Sequence, residues 1–355
     1  MKKNFWKTMD KTAKSNMITY LIVVVAFVVM QTLVSTGNIS SLLKGLLVPI
    51  CVYVIAAISL NLVVGISGEL SLGHAGFMCV GAYSSAFFSV LVGDAIPEIL
   101  RFVFAILIGA AVAAIFGIII GIPVLKLKGD YLAIVTLAFG EIIKNLVNVL
   151  YVGRDSKGLH FSTTDTAGLN LEADGQVIVK GALGITGTPK NSTFFIGMVL
   201  ILIALFIILN LINSRSGRAI MAIRDNRIAA ESVGIDVRKY KLMAFTISAA
   251  LAGVAGVLYA HNLSTLTVKK FDYNTSILIL VFVVLGGIGN IRGSMIAAVI
   301  LTVLPELLRG LQDYRMLIYA VVLIAMMLFN WAPSAIAWRA KLKAKFQNRK
   351  AKEAK

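Results

Sequence analysis

SRSGRAIMAIRDNRIAAESVGIDVRKY, Ser214 to Tyr240, is the longest polar run that has a membrane-length apolar segment close on either side. Ala219, Ala222 and Ile223, then Ile228, Ala229 and Val233, recur at roughly helical spacing. Arg218, Arg224, Asp225, Arg227 and Glu231 fall on the other faces. Gly234 and Asp236 supply turn chemistry before the apolar run that begins at Leu242. The pattern predicts a short amphipathic helix on the cytoplasmic rim of a membrane protein. One reading is an ordinary basic loop, held inside by its charge. The other is a docking surface, which needs what this stretch has: a small-residue face and charges of both signs.

Composition sets the class. Of 355 residues, 58% are hydrophobic and only 14% charged, and the mean hydropathy is +0.88. That excludes a soluble globular protein. The net charge of +17 is not spread as a nucleic-acid surface would spread it. Five Lys lie in residues 1–16, seven Lys or Arg between Arg215 and Lys241, and eight between Arg339 and Lys355. These are the three segments that the positive-inside rule retains in the cytoplasm, and they suit contact with anionic lipid. Nucleic acid is not an expected partner. Cys51 and Cys79 lie in apolar runs and read as small buried hydrophobes.

The apolar runs, each near the ~20 residues a bilayer requires, give an all-α integral membrane protein. A basic N-terminal segment, 1–16, precedes a membrane domain over 17–335 and a basic tail over 336–355. A retained first helix is expected, not a cleaved signal peptide. The expected spans are Met17 to Ser35, Leu42 to Val64, a third ending near Val92, Ile99 to Ile122, and Tyr131 to Leu150. Then come Ser192 to Ile212, Leu242 to His261, two within Ser276 to Leu308 divided by GGIGNIRGS, and Met316 to Phe329. That is about ten helices, with both termini cytoplasmic. Glu141 and Lys144 share a face of the fifth, as a structural ion pair or as part of a pathway. The loop 151–191 has balanced charge, falls outside, and is long enough to carry a small hairpin or short helices. An external partner could rest on it.

GISGELSLGHAGFMCVGAY, Gly65 to Tyr83, is dense in glycine, with Gly68, Gly73, Gly76 and Gly81 among Glu69, Ser71 and His74. Each interior Gly costs a helix about 1 kcal/mol against Ala. Either these glycines serve close helix packing, with Ser71 and His74 as buried hydrogen-bonding groups, or they form a break lining a translocation path. Asn61, Gly68, Ser71, Gly73, His74, Gly76 and Gly81 are the pathway candidates. His160 and His261 are placed at or outside the membrane surface. There is no HExxH, no GxSxG and no Cys/His ligand set, and the phosphate-binding GxxxxGK[ST] is absent. No catalytic residue, metal or cofactor is expected, and any ATP-driven step needs a separate subunit.

Three stretches carry a family resemblance: SGELSLGHAGFMCVGAY, GRAIMAIRDNRIAAESVGIDVRKYKLMAFTISAALAGVAGVLYA and LGGIGNIRGSMIAAVIL. They resemble LivM-type permeases, the membrane subunits of branched-chain amino acid ABC importers. Ile66-Ser67 and Glu69 depart from that pattern, in which an aromatic-Ala pair and a neutral residue often stand. The resemblance implies the ABC importer permease fold, a bacterial cell membrane location and no enzyme activity in this chain. It also implies paired ATPase subunits, a second permease of LivH type and an external substrate-binding protein. Arg218, Arg224, Asp225, Ala229, Ala230, Glu231 and Gly234 become the ATPase-coupling candidates. Urea, short amides or other amino acids stay open as substrates. From other classes, an ion-coupled transporter needs more intramembrane acids than Glu141, and an intramembrane enzyme lacks a catalytic set.

Overall fold

The computed structural model describes residues 11–37, 40–127, 129–173, 175–308, 310 and 314–331. Most of the basic N-terminal segment and the whole of the basic tail lie outside these. The helices are α1 (Lys11–Ser35), α2 (Ser41–Asn61), α3 (His74–Val92), α4 (Glu98–Val124), α5 (Asp130–Asn148) and α6 (Phe194–Asn213). After two short helices, α7 (Arg215–Asp225) and α8 (Arg227–Ser232), follow α9 (Val237–Ala260), α10 (Tyr273–Gly286), α11 (Ile291–Leu307) and α12 (Arg315–Trp331). Seven helices, α1–α6 and α9, are long and apolar enough to cross a membrane. α10, α11 and α12 are apolar but shorter, at 14, 17 and 17 residues.

The core forms around α2. Its most apolar window is 83% buried, against 11% for α1, so α2 is the central post and α1 lies at the periphery. Ile55, Ile58 and Leu60 are fully enclosed; α6, α9, α10 and α11 pack directly on α2, and α3 and α4 pack on α9 and on each other. Small residues permit that closeness. A side chain at Gly81 of α3 would stand 2.4 Å from the Gly253 carbonyl of α9, and one at Gly253 would stand 2.7 Å from the Gly109 carbonyl of α4. Three helices thus meet backbone to backbone, the geometry that holds helices together where lipid offers no hydrophobic drive. Both cysteines are free and buried here.

The expectation of an all-α chain is corrected at one end of the bundle. A five-stranded sheet, in the order β2-β1-β3-β4-β5, is built from β1 (Tyr151–Asp155), β2 (Gly158–Ser162), β3 (Gln176–Lys180), β4 (Ile185–Thr186) and β5 (Thr265–Leu266). The loop exceeds the small hairpin expected of it, because β4 pairs with β5 from beyond α9. The sheet caps one end of the bundle and α7–α8 lie at the other.

Candidate functional site

The site is built where α2 stops being an α-helix. Leu62–Ser67 continue as a π-helix, every residue of it buried, and Gly68 closes it at φ +74°, a conformation only glycine adopts without strain. Residues 68–73 have no helical structure before α3 begins at His74. Non-helical backbone inside a membrane protein needs partners from its own chain, and neighbouring elements supply them. The Leu72 N–H donates to Thr136 Oγ1 of α5 at 3.0 Å, and the Ala75 N–H to Ser276 Oγ of α10 at 3.0 Å. These two hydroxyls meet donors at the start of α3 that have no partner inside the helix.

Three further contacts grip the same break. Asn61, fully buried, accepts from the Gly289 N–H at 2.9 Å and donates to Ser294 Oγ at 2.8 Å. It thereby joins the end of α2 to the second glycine-rich turn, Gly286–Asn290, that separates α10 from α11. Arg224 of α7 donates through Nη1 to the Gly65 carbonyl at 2.9 Å. Lys241 of α9 donates to Glu69 Oε1, and both side chains are nearly enclosed, 13% and 11% exposed. Gly65 has no room for a side chain: a Cβ would lie 2.0 Å from Asn61 Oδ1 and 2.3 Å from the Gly289 nitrogen. The three glycine- or charge-rich stretches of the sequence therefore meet at one junction.

The short helices differ in phase from the sequence expectation. Asn226 ends α7 and caps α8, its Oδ1 accepting from the Ala229 N–H at 3.0 Å, which resets the helical register. Ile220, Ile223, Ala230 and Val237 are buried, whereas Ile228 and Val233 are 80% and 74% exposed and Ala229 is exposed. The apolar face expected through Ile228, Ala229 and Val233 is thus turned outward. Ala230 lies within the loop's own small core with Ile223 and Val237. Arg224, expected to point away, bends back to Gly65 and also pairs with Asp225 at 2.8 Å. Arg218 donates to the Asn213 carbonyl at 3.1 Å, closing the end of α6. Arg227 pairs with Glu231 at 3.0 Å one turn on, and Gly234 makes the following turn at φ +84°.

The remaining pathway candidates divide. Gly68 lies in the junction, where a Cβ would meet Arg224 Cγ at 2.6 Å. Gly73 packs on the Thr136 carbonyl and Gly76 on Gly140 of α5, at 2.2 and 2.8 Å from a notional Cβ. Gly76 and Gly81 stand within regular helix; the irregular backbone ends at Gly73. His74 is buried, its Nε2 2.7 Å from Ser59 Oγ; because Ser59 donates to the Ala56 carbonyl, the imidazole is assigned as the donor to Ser59. Ser71 is also buried, and its hydroxyl has no partner among the described residues.

Away from the junction, Glu141 pairs with Lys144 at 2.7 Å and accepts from the Tyr273 N–H at 3.1 Å, fastening the start of α10 to α5. At the sheet end, burial acts to raise the Asp155 carboxyl, but N–H donors from Lys157 and Glu172 and the His160 ring outweigh it and hold it below the ordinary value. His261, which ends α9, is fully buried within the protein and joined to Ser89 at 2.9 Å. Among the described residues no group of three His, Cys, Asp or Glu side chains is placed to hold a metal.

Sequence reasoning missed Gly65, Glu69, Lys241, Gly289 and Ser294 as members of the junction. One signal was present: an acid in a buried segment requires a base, and Lys241 begins the next buried helix.

The family of branched-chain amino acid transport system permease components matches residues 42–329. The high-affinity branched-chain amino acid permease protein LivM of Escherichia coli K12 is 36% identical over 316 residues, 85% of this chain and 71% of the relative. LivM of Salmonella typhimurium LT2 is 36% identical over 300 residues, 80% of this chain and 67% of the relative. The ribose import permease RbsC of E. coli K12 is more distant, 26% identical over 285 residues, covering 78% and 81%. No solved structure matches the chain.

Proposed function

The chain belongs to the branched-chain amino acid transport system permease family, and we propose that it works as one membrane-spanning half of an ATP-driven importer, moved by partners that grip α7–α8. It is an integral membrane permease of an ABC importer for branched-chain amino acids. Ten membrane crossings with both termini cytoplasmic complete the reading: α10–α12 add to the seven longer helices. At about 1.5 Å per residue, 14-residue α10 reaches less than the ~30 Å hydrocarbon depth. The turn at Gly286–Asn290 would then lie within the membrane, where its contact with Gly65 and Asn61 supports it.

On this reading the sheet faces outside and receives a substrate-binding protein, and α7–α8 face the cytoplasm. The exposed apolar pair Ile228 and Val233, flanked by the Arg227–Glu231 ion pair, forms the surface on which an ATPase subunit seats. The observation that carries the proposal is the Arg224–Gly65 contact: it joins the seat to the π-helix at the end of the central helix α2. A push on α7 reaches Gly65, and through Asn61 the α10–α11 turn, without passing through a flexible loop. The solute route is proposed beside the break, where Ser71 keeps a buried hydroxyl without a partner among the described residues. A second permease of LivH type forms the other half.

The test is co-purification from native membranes in a mild detergent. An ATPase pair should accompany the wild-type chain and be lost on Ile228→Asp or Val233→Asp, which change only exposed positions. A solitary chain that transports in liposomes without ATP contradicts the reading.

A further inference from the structure

A groove opens on the membrane-facing side between α4 and α6, floored by α9, with a volume of about 700 Å³. Its walls are apolar throughout their length, with Ile99, Val103 and Leu107 on one side and Phe195, Val199 and Ile203 on the other. Every polar residue of the lining lies at the sheet end: Glu98, Lys190, Asn191 and Thr193. The Thr193 hydroxyl is engaged, capping α6. Glu98 and Lys190 are exposed and make no ion pair among the described residues. The Asn191 amide is stranger: its oxygen and nitrogen are both shielded and neither has a partner among the described residues. Shielded polar groups are rarely left unpaired, and each such case asks for an explanation, a bound water, ion or ligand among them.

An apolar trough with a cation, an anion and an open amide at one end has the polarity profile of a lipid. We propose that the groove is a binding site for one glycerophospholipid of the sheet-side leaflet whose headgroup carries both a phosphate and a primary amine. The acyl chains lie along α4 and α6, the phosphate meets Lys190, the ammonium meets Glu98, and the glycerol ester region satisfies Asn191. A lipid with phosphate alone leaves Glu98 unmatched and beside a like charge, which disfavours it. The inference needs only that the chain is membrane-inserted, not that it drives import.

The complex would be reconstituted into nanodiscs of phosphatidylethanolamine and phosphatidylglycerol in equal parts, released into mild detergent, and weighed with its retained lipid by native mass spectrometry. The wild-type complex should retain close to one phosphatidylethanolamine per chain, in excess over phosphatidylglycerol. Glu98→Gln should reduce that preference about threefold, the scale of one exposed ion pair. Lys190→Glu should lower retention of both lipids, and Val199→Trp, which fills the trough from an exposed position, should abolish it. Equal retention of both lipids by wild type, or retention unchanged in Lys190→Glu and Val199→Trp, overturns the site and leaves ordinary boundary lipid. Complexes that keep their other subunits serve as the folding control for each variant.

Discussion

Arg224 of the short helix α7 and Gly65 of the π-helix, 159 positions apart in sequence, are joined by a 2.9 Å hydrogen bond from guanidinium to carbonyl. The bond is made possible by the widened helix, whose carbonyl is free to accept from outside, and by the missing side chain at Gly68, over which the Arg224 stem lies. A charged donor on a backbone acceptor, held at a place where the backbone is already irregular, is a mechanical link between a surface helix and the core.

Asn61 is the second link, and its removal has a defined cost. Asn61→Ala leaves the Gly289 N–H without its partner in a closed environment, a loss of about 1–3 kcal/mol. Melting of the purified complex followed by intrinsic fluorescence should show the drop. An unchanged melting curve would mean that the two glycine-rich turns do not depend on each other.

Gly65→Ala and Gly45→Ala should move stability in opposite directions. At Gly65 an added Cβ meets Asn61 Oδ1 at 2.0 Å and the Gly289 nitrogen at 2.3 Å, and overpacking of this kind costs about 1–3 kcal/mol. At Gly45, near the start of α2, a Cβ meets nothing within 4 Å, and Ala gains up to about 1 kcal/mol of helix preference. The same melting assay reads both; equal shifts would refute the packing argument.

The Glu69–Lys241 pair is enclosed, so breaking it on one side is expected to be severe. Lys241→Met strands a carboxylate and should destabilise by about 3 kcal/mol or more. Exchanging both charges, Glu69→Lys with Lys241→Glu, should recover most of the yield of folded complex. If the exchange performs no better than the single change, the two residues do not act as a pair.

Away from the membrane-spanning helices, Asp155 sets an acid limit for the sheet. Its carboxyl titrates below the unfolded value of about 3.9, so its contribution is fully present above that pH and is lost as pH falls through the lower, folded value. Amide exchange at 151–162 should stay slow down to about pH 4 and quicken below it. Asp155→Asn should exchange faster at neutral pH and lose that acid step. Exchange that is indifferent to both would remove the carboxylate from the account.

The long helices were legible because burial in lipid writes itself as uninterrupted hydropathy; expected and observed limits of α4 and α6 differ by no more than two residues. The break was legible as glycine density, but its extent was not. Gly76 and Gly81 serve helix crossings, and only the structure separates a glycine that bends backbone from one that admits a neighbour. The sheet escaped because β5 is two residues long and finds β4 only after α9 brings it back. Arg224 was readable as a candidate residue but not in its direction, since periodicity ran through Asn226 as though the helix were unbroken.

The most direct test measures amino acid uptake and ATP hydrolysis together in proteoliposomes holding the complete complex with Arg224→Ala. Because the proposed ATPase seat at Ile228 and Val233 is untouched, the ATPase subunits should remain bound and hydrolyse ATP at near the wild-type rate. Uptake per ATP should fall about tenfold, the effect of losing roughly 1.4 kcal/mol of coupling. Uptake that stays in proportion to hydrolysis would contradict the claim that α7 acts on the core through Gly65.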